Sequence, residues 1–148
     1  MIQTDAGNRA LDYLAAHRVM NLATLGPDGP WAAAVFYINE GFDLYFVSSP
    51  SSRHGRNFGL RPDVAATVNE DYSDWREIKG VQLEGVVGQV AATEEARIRR
   101  LYAGKFSLET APAEIAAAFA RVRWYRLAAT RVYFVDNAVA FGHRDQVL

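Results

Sequence analysis

The chain carries its clearest structural signal in residues 44–65, which are Leu44-Tyr45-Phe46-Val47-Ser48-Ser49-Pro50-Ser51-Ser52-Arg53-His54-Gly55-Arg56-Asn57-Phe58-Gly59-Leu60-Arg61-Pro62-Asp63-Val64-Ala65. The pattern predicts an apolar strand, a hydroxyl-rich turn and a short helix whose first turn carries Arg53 and His54. Backbone N–H groups are unpaired at the start of a helix, and the helix dipole favours negative charge there. Serine hydroxyls and a guanidinium add further donors, so the turn is suited to a phosphate dianion.

The same residues also have a plainer interpretation. Ser/Pro clusters between apolar runs are ordinary loops, Ser51 can serve as a helix N-cap, and Arg53, His54 and Arg56 can form a solvated face. A strand, turn and helix without a glycine-rich fingerprint is a common construction. The phosphate hypothesis therefore needs support from the rest of the chain.

Composition narrows the classes of function. The 148 residues, half of them apolar, fit one domain spanning 1–148. There are no cysteines, which excludes disulfides, thiolate metal sites and cysteine nucleophiles. The histidines at 17, 54 and 143 are scattered, so we expect no metal site. A net charge of −1 argues against a nucleic-acid binder, whose affinity comes largely from a basic face.

The chain shows no signal-peptide pattern at its start and no apolar run long enough to span a membrane. We therefore expect a cytoplasmic protein that does not contact the membrane.

Alternating and continuous apolar runs predict six strands, joined by turns and short helices. The predicted strands are 18–25, 31–39, 42–48, 64–68, 79–91 and 123–135. Four helices are predicted. The first is capped by Thr4 or Asp5, the second lies within 51–60, the third is capped by Thr93, and the fourth follows Thr110. Glycines at 80, 85 and 88 inside the fifth strand indicate bulges or bends, as in a curled barrel.

This order, together with the turn and helix, resembles the pyridoxamine 5'-phosphate oxidase-like family, the FMN-binding split barrels. The resemblance extends from about Asp12 to His143 and is most specific over 44–68, which is similar to the family's strand, Ser/Thr turn, Ser-Arg or Ser-Lys pair, Asn, and Pro-x-Val-Ala strand. Lys79-Gly80-Val81-Gln82-Leu83-Glu84-Gly85 is similar to the next family strand, and residues 136–142 resemble a small uncharacterised subgroup. The implied fold is mainly β (α+β), a six-stranded antiparallel split β-barrel with short peripheral helices.

The resemblance also implies a cofactor site for FMN, enclosed between two subunits of a homodimer. By carry-over, the flavin ring would be lined by Ala33, Ala34, Val35 and Phe36. The phosphate would be surrounded by Ser48, Ser49, Ser52, Arg53 and His54, and Gln82 would reach the polar edge of the flavin. Trp75, Trp124 and Phe141 are candidates for lid, substrate-side or partner-subunit contacts. For the two alanines, efficient packing within a strand explains the residue type equally well.

Departures from the family pattern concern the substrate. Members that oxidise pyridoxamine phosphate have a basic residue at each end of the second strand, where this chain has Trp31 and Phe36. They also end in an arginine-rich segment, where this chain has Ala138 and Phe141 and only His143 as a possible match. Without charged donors a phosphorylated substrate would bind poorly. We therefore expect that the protein is not pyridoxamine 5'-phosphate oxidase itself.

Three functions remain open at this stage. The first is an FMN-dependent oxidoreductase that passes a hydride or electrons between a reduced nicotinamide and a small apolar or aromatic acceptor. Because the flavin supplies the chemistry, the lack of an evident acid–base group in the sequence does not contradict this function. No catalytic residue is assigned. The second is a non-enzymatic flavin binder or sensor. The third is a haem or deazaflavin binder on the same scaffold.

Overall fold

The computed structural model describes residues 3–148, apart from the side chain of Glu109. Its four α-helices are α1 (Asp5–Ala16), α2 (Arg53–Leu60), α3 (Ala92–Phe106) and α4 (Ala113–Phe119). The eight strands are β1 (Val19–Gly26), β2 (Gly29–Phe36), β3 (Ile38–Glu40), β4 (Asp43–Ser48), β5 (Asp63–Asn69), β6 (Lys79–Gln89), β7 (Arg123–Asp136) and β8 (Arg144–Gln146). Single 3-10 turns lie at Trp75–Glu77 and Leu108–Thr110.

The strands form one antiparallel sheet that curls on itself. Its order is β2-β1-β5-β6-β7-β4-β3, and β8 adds to β7. Although β2 and β3 end this path, only Tyr37 separates them in sequence, so the two ends of the sheet must meet. Tyr37 is fully buried at the junction, where its hydroxyl donates to Leu14 O (2.7 Å) and its N–H donates to Arg18 O (3.0 Å). β2 and β4 then approach each other without pairing, which leaves the barrel split.

The mainly β split-barrel class is confirmed, but the predicted number of six strands is wrong. The predicted strand 31–39 is divided at Tyr37 into β2 and β3, because the chain turns inward there to bury the tyrosine. Residues 144–146 form an additional strand, β8, against β7. The strand β8 and the break at Tyr37 each involve too few residues to give a recognisable apolar pattern in the sequence.

The helix starts follow capping chemistry with two corrections. Thr4 caps α1, since its hydroxyl accepts from Gly7 N (3.0 Å). α2 is capped by Ser52 rather than Ser51, through Gly55 N (3.0 Å). α3 begins one residue after Ala91 without a side-chain cap, so the expectation that Thr93 caps it is wrong.

Two apolar cores hold the sheet and helices together. Inward-facing residues of the strands fill the barrel, and a second cluster that includes Ile98, Tyr102 and Trp124 lies beneath α3. The register of β6 and β7 shifts after Glu84, as the glycine pattern predicted. A Cβ on Gly85 would lie 2.3 Å from Ala128 O, so only glycine fits the bulge.

Candidate functional site

The start of α2 presents main-chain donors that the protein does not use. The N–H groups of Arg53 and His54 have no hydrogen-bond partner within residues 3–148. The next two are satisfied, since Gly55 N donates to Ser52 Oγ and Arg56 N to Ser52 O. Gly55 keeps the turn tight, because a Cβ there would lie 2.5 Å from Ser49 O. Two parallel donors at a helix start form the basic unit of an anion site.

Hydroxyl groups behind this helix start are already bonded to one another. Ser52 Oγ donates to Ser49 O (2.7 Å), and Ser48 Oγ lies 3.2 Å from Ser52 Oγ. Ser48 Oγ is also 2.7 Å from His54 Nε2. Burial lowers the pKa of His54, which favours the neutral imidazole. These three side chains therefore shape the turn, while the hydroxyls of Ser49 and Ser51, 2.8 Å apart, remain at the surface.

Arg53 is positioned by the β1–β2 turn. Its Nη2 donates to Asp28 O (3.2 Å), and its guanidinium carbon lies 4.2 Å from the centroid of the Trp31 ring. Stacking on an aromatic face orients the planar guanidinium and leaves its other N–H groups free. The sequence singled out Trp31 only as a departure from the family, whereas the structure makes it the residue that positions Arg53.

Asn57 fixes α2 against the sheet. It is 5% exposed, and its Nδ2 donates to the buried Thr24 Oγ1 (3.0 Å). The contact needs a glycine opposite, because a Cβ on Gly26 would lie 1.9 Å from Asn57 Oδ1. The asparagine of the family pattern is therefore a structural anchor in this chain, where it joins α2 to β1.

The four residues predicted to line a flavin ring belong to two faces of β2. Ala33 and Val35 are half-buried on the barrel side, whereas Ala34 and Phe36 are exposed on the outer side. Phe36 is 53% exposed and touches Phe106 of α3, with ring centroids 4.9 Å apart. What the four share is the open main-chain edge of β2, which pairs with β1 on one side only. A planar ring could use that edge, together with the small side chains along it.

Gln82 lies on the outer face of the sheet, far from this edge. Ala34, Asn21, Thr67 and Gln82 lie side by side on β2, β1, β5 and β6. Three strand spacings separate Gln82 from Ala34, which amounts to about 14 Å. One protomer therefore does not bring Gln82 together with the phosphate turn and β2.

The three aromatic candidates have different surroundings. Trp124 is 3% exposed and packs beneath α3 against Tyr102, so it is a core residue and not a lid or subunit contact. Trp75 and Phe141 are 56% and 80% exposed and stack edge to face, 5.8 Å apart. They lie beyond the end of β5 that is remote from α2, so they do not reach the phosphate turn of their own protomer.

Further features of the described residues bear on other site types. No group of three or more metal-ligating side chains is found in residues 3–148. In the same range, no helix is both long and apolar enough to cross a membrane. His17 and His143 each lie close to a carboxylate, at 3.1 Å from Glu70 Oε1 and 2.9 Å from Asp145 Oδ2.

The sequence model of the pyridoxamine 5'-phosphate oxidase family matches residues 8–136, which is most of the chain and includes the whole turn and α2. The chain belongs to this family. Among its relatives is a UPF0306 protein of Klebsiella pneumoniae strain 342, 28% identical over 134 residues that cover 89% of this chain and 86% of that protein. A family member of this kind need not be the oxidase whose name the family carries.

Solved structures repeat the same fold. A heme binding protein from Mycobacterium smegmatis superimposes with a TM-score of 0.78 and 24% identity over 99% of this chain, which spans 59% of that protein's chain. An FAD-binding protein from Mesorhizobium loti superimposes with a TM-score of 0.64 and 21% identity, covering 84% of this chain and 90% of that one. At these identities the likeness shows the fold alone.

Proposed function

We propose that this protein binds FMN, with its phosphate at the start of α2 and its ring along the open edge of β2. The observation that carries the proposal is the pair of unpartnered N–H groups of Arg53 and His54 beside an Arg53 guanidinium already oriented by Trp31 and Asp28. A dianion at this point gains main-chain donors, a two-pronged cation and the helix dipole together.

The serines that we propose to contact the phosphate differ from those expected from the sequence. Ser48 and Ser52 act indirectly, because their hydroxyls hold the turn and His54 in place. Ser49 and Ser51 expose the hydroxyls that can turn toward a phosphate. The donor set fits one terminal phosphate, and the chain has no glycine fingerprint for a pyrophosphate.

The flavin ring would lie against β2, where three alanines in succession allow close approach to the main chain. Unpaired N–H and C=O groups of an edge strand suit the polar edge of an isoalloxazine, and an uncovered edge is otherwise a liability. When bound, the flavin supplies the hydride or electron transfer, while the residues of this chain bind and orient it.

The outer face of the sheet supports a homodimer as part of the same proposal. It exposes Val19, Leu25, Phe36 and Val86 beside four alanines, at 23, 32, 34 and 65, with Asn21, Asp63 and Thr67 between them. An exposed face with several large apolar side chains and a polar minority is suited to a subunit interface, most economically with a second copy about a two-fold axis. Gln82, Trp75 and Phe141 would then approach the flavin of the other subunit, which one protomer cannot achieve.

We favour an oxidoreductase acting on a small apolar or aromatic acceptor. Members of the family that oxidise pyridoxamine phosphate have a basic residue at each end of the second strand. This chain has Trp31 there, which stacks against Arg53, and Phe36, which packs on Phe106. The second candidate is a flavin binder without turnover. Haem is the third candidate, but His54 is already bonded to Ser48.

The absorption spectrum of the purified protein tests these alternatives. We expect flavin bands that bleach when NADH or NADPH is added without oxygen. Bound flavin that stays oxidised would favour the non-enzymatic binder, and a Soret band would favour haem. Calorimetric titration of the apoprotein with FMN, FAD and riboflavin should give the tightest binding for FMN, and riboflavin binding as tightly as FMN would contradict the phosphate site.

A further inference from the structure

A second cleft lies on the side of α2 that faces away from Asn57. The helical period places Gly55 and Gly59 on that side, with Arg56 at its edge. There, α2, the end of β6 and the start of β7 enclose a cleft of about 630 Å³. Its volume falls within the range of small-molecule sites.

The floor of the cleft is apolar and aromatic. It is formed by the buried side chains of Phe58, Val87 and Tyr125, and Leu60 stands exposed at the side. Gly59 of α2 leaves the side of the cleft open, since a Cβ there would meet no atom within 4 Å. The cleft therefore offers space for a flat apolar group.

The rim of the cleft is positively charged. Arg56 and Arg123 both line it, and its lining includes no carboxylate. Neither arginine has an acidic partner within 4 Å among the described side chains, in contrast to Arg97 and Arg126, which pair with Glu40 and Asp43. Arg56 Nη1 donates to Ser51 O (2.5 Å), which holds its guanidinium near the start of α2. Two guanidinium groups without a carboxylate partner, over an apolar floor, favour an anion attached to an apolar body.

Tyr125 is the central residue of this floor. It is 7% exposed, and its ring lies edge to face on Phe58 and stacked on Phe46, with centroids 4.7 and 5.7 Å away. Because the aromatic floor is held in place by these contacts, it offers a preformed surface to a flat ring.

We propose that this cleft is a second binding site, separate from the flavin site, for a small aromatic carboxylate. The ring lies on Phe58, Val87 and Tyr125, and the carboxylate is held at the rim by Arg56 and Arg123. The site does not depend on flavin, so it stands or falls independently of the function proposed above.

The test uses 1-naphthoate as the probe and the full-length protein labelled with 15N. Titration should give saturable amide shifts concentrated at Gly59 and Gly88. The uncharged analogue 1-naphthalenemethanol should bind about tenfold to a hundredfold more weakly, as expected for the loss of hydrogen bonds to charged groups. Equal binding of the two compounds, shifts centred at Arg53 and His54, or shifts scattered over the surface would overturn the proposal.

Variants separate the charge from the shape of the cleft. R56Q/R123Q should reduce naphthoate affinity to that of the alcohol, whereas the control R100Q/R121Q should leave it unchanged. G59L should fill the cleft and abolish binding, whereas G104L, at another position with open space for a Cβ, should not. Unaltered affinity in R56Q/R123Q would contradict the assignment, and the comparison of the two probes on the unmodified protein holds even if a variant fails to fold.

Discussion

At the scale of single residues, the proposed phosphate site depends on Arg53 being oriented before a ligand binds. The Trp31 ring and Asp28 O hold its guanidinium next to the free N–H groups of α2. An arginine fixed in this way loses little side-chain freedom on binding, which increases its contribution to affinity.

Replacing Arg53 tests this contribution. Arg53→Ala should weaken FMN binding by about 1.5–3 kcal/mol, the value of a hydrogen bond to a charged group. Arg53→Lys should recover only part of the loss, because lysine keeps the charge without the planar fork. Titration calorimetry measures both, with Arg61→Ala at the exposed end of the same helix as the control. Parental affinity in both Arg53 variants would show that the phosphate binds elsewhere.

His54 should make FMN binding dependent on pH. Burial lowers the pKa of His54 in the free protein, and a phosphate dianion nearby would raise it again. Binding should therefore take up a proton, and affinity should increase as the pH falls from above the pKa of the bound state to below that of the free state. Calorimetry in buffers of different ionisation enthalpy detects the proton. His54→Gln should abolish its uptake, and uptake of the same size in that variant would contradict the assignment.

At the scale of elements, α2 is held on the sheet by one buried polar contact, between Asn57 and Thr24. Asn57→Ala should lower the free energy of unfolding by about 1–3 kcal/mol, because the Thr24 hydroxyl loses its partner in a buried position. The double variant with Thr24→Val should recover part of this loss, which urea unfolding of all four proteins measures. Strictly additive losses would mean that the contact does not stabilise the fold.

Lys105 of α3, which contacts the α1–β1 turn, has an unusually low pKa. Lys105 Nζ donates to His17 O and lies 4.4 Å from the Tyr37 ring centroid. Burial, assisted by the charge of Arg18, lowers the pKa of Lys105 to about 8 from the ordinary 10.5. The unfolded chain therefore binds the proton more tightly than the folded protein does. The free-energy cost of holding a charged Lys105 in this buried position is absent above pH 10.5, increases as the pH falls from 10.5 to 8, and is complete below 8.

Lys105→Met should remove this dependence. The difference in unfolding free energy between parent and variant should change in the parent's favour from pH 8 to 10.5, as followed by urea unfolding at a series of pH values. Lys79→Met serves as the control for a lysine replaced elsewhere. A difference that stays constant across this range would contradict the account.

Elements whose apolar pattern repeats over many residues were predictable, whereas breaks within strands and contacts between distant elements were not. The strand, turn and helix of residues 44–60 follow from local apolar period and capping chemistry, and the bulge in β6 follows from its glycines. The division of β2 from β3 depends on burial of Tyr37 beneath α1, which no local pattern encodes. The stacking of Arg53 on Trp31 was missed for the same reason, since it joins two separate turns.

At the scale of the whole molecule, the proposed site is incomplete in one protomer. The phosphate turn and β2 lie together, whereas Gln82, Trp75 and Phe141 lie elsewhere on the sheet. The resemblance to the family proposes all of them for one site, without showing that one barrel separates them. A second subunit across the exposed alanine-rich face would reunite the two halves, and FMN should then stabilise the dimer by linkage.

Sedimentation velocity of the apoprotein mixed with FMN, recorded at both 280 and 450 nm, tests this central claim most directly. We expect one boundary at the rate of a dimer at both wavelengths, with one FMN per protomer. A 450 nm boundary at the rate of a monomer would contradict the shared site, and 450 nm absorbance that stays with free FMN would contradict flavin binding itself.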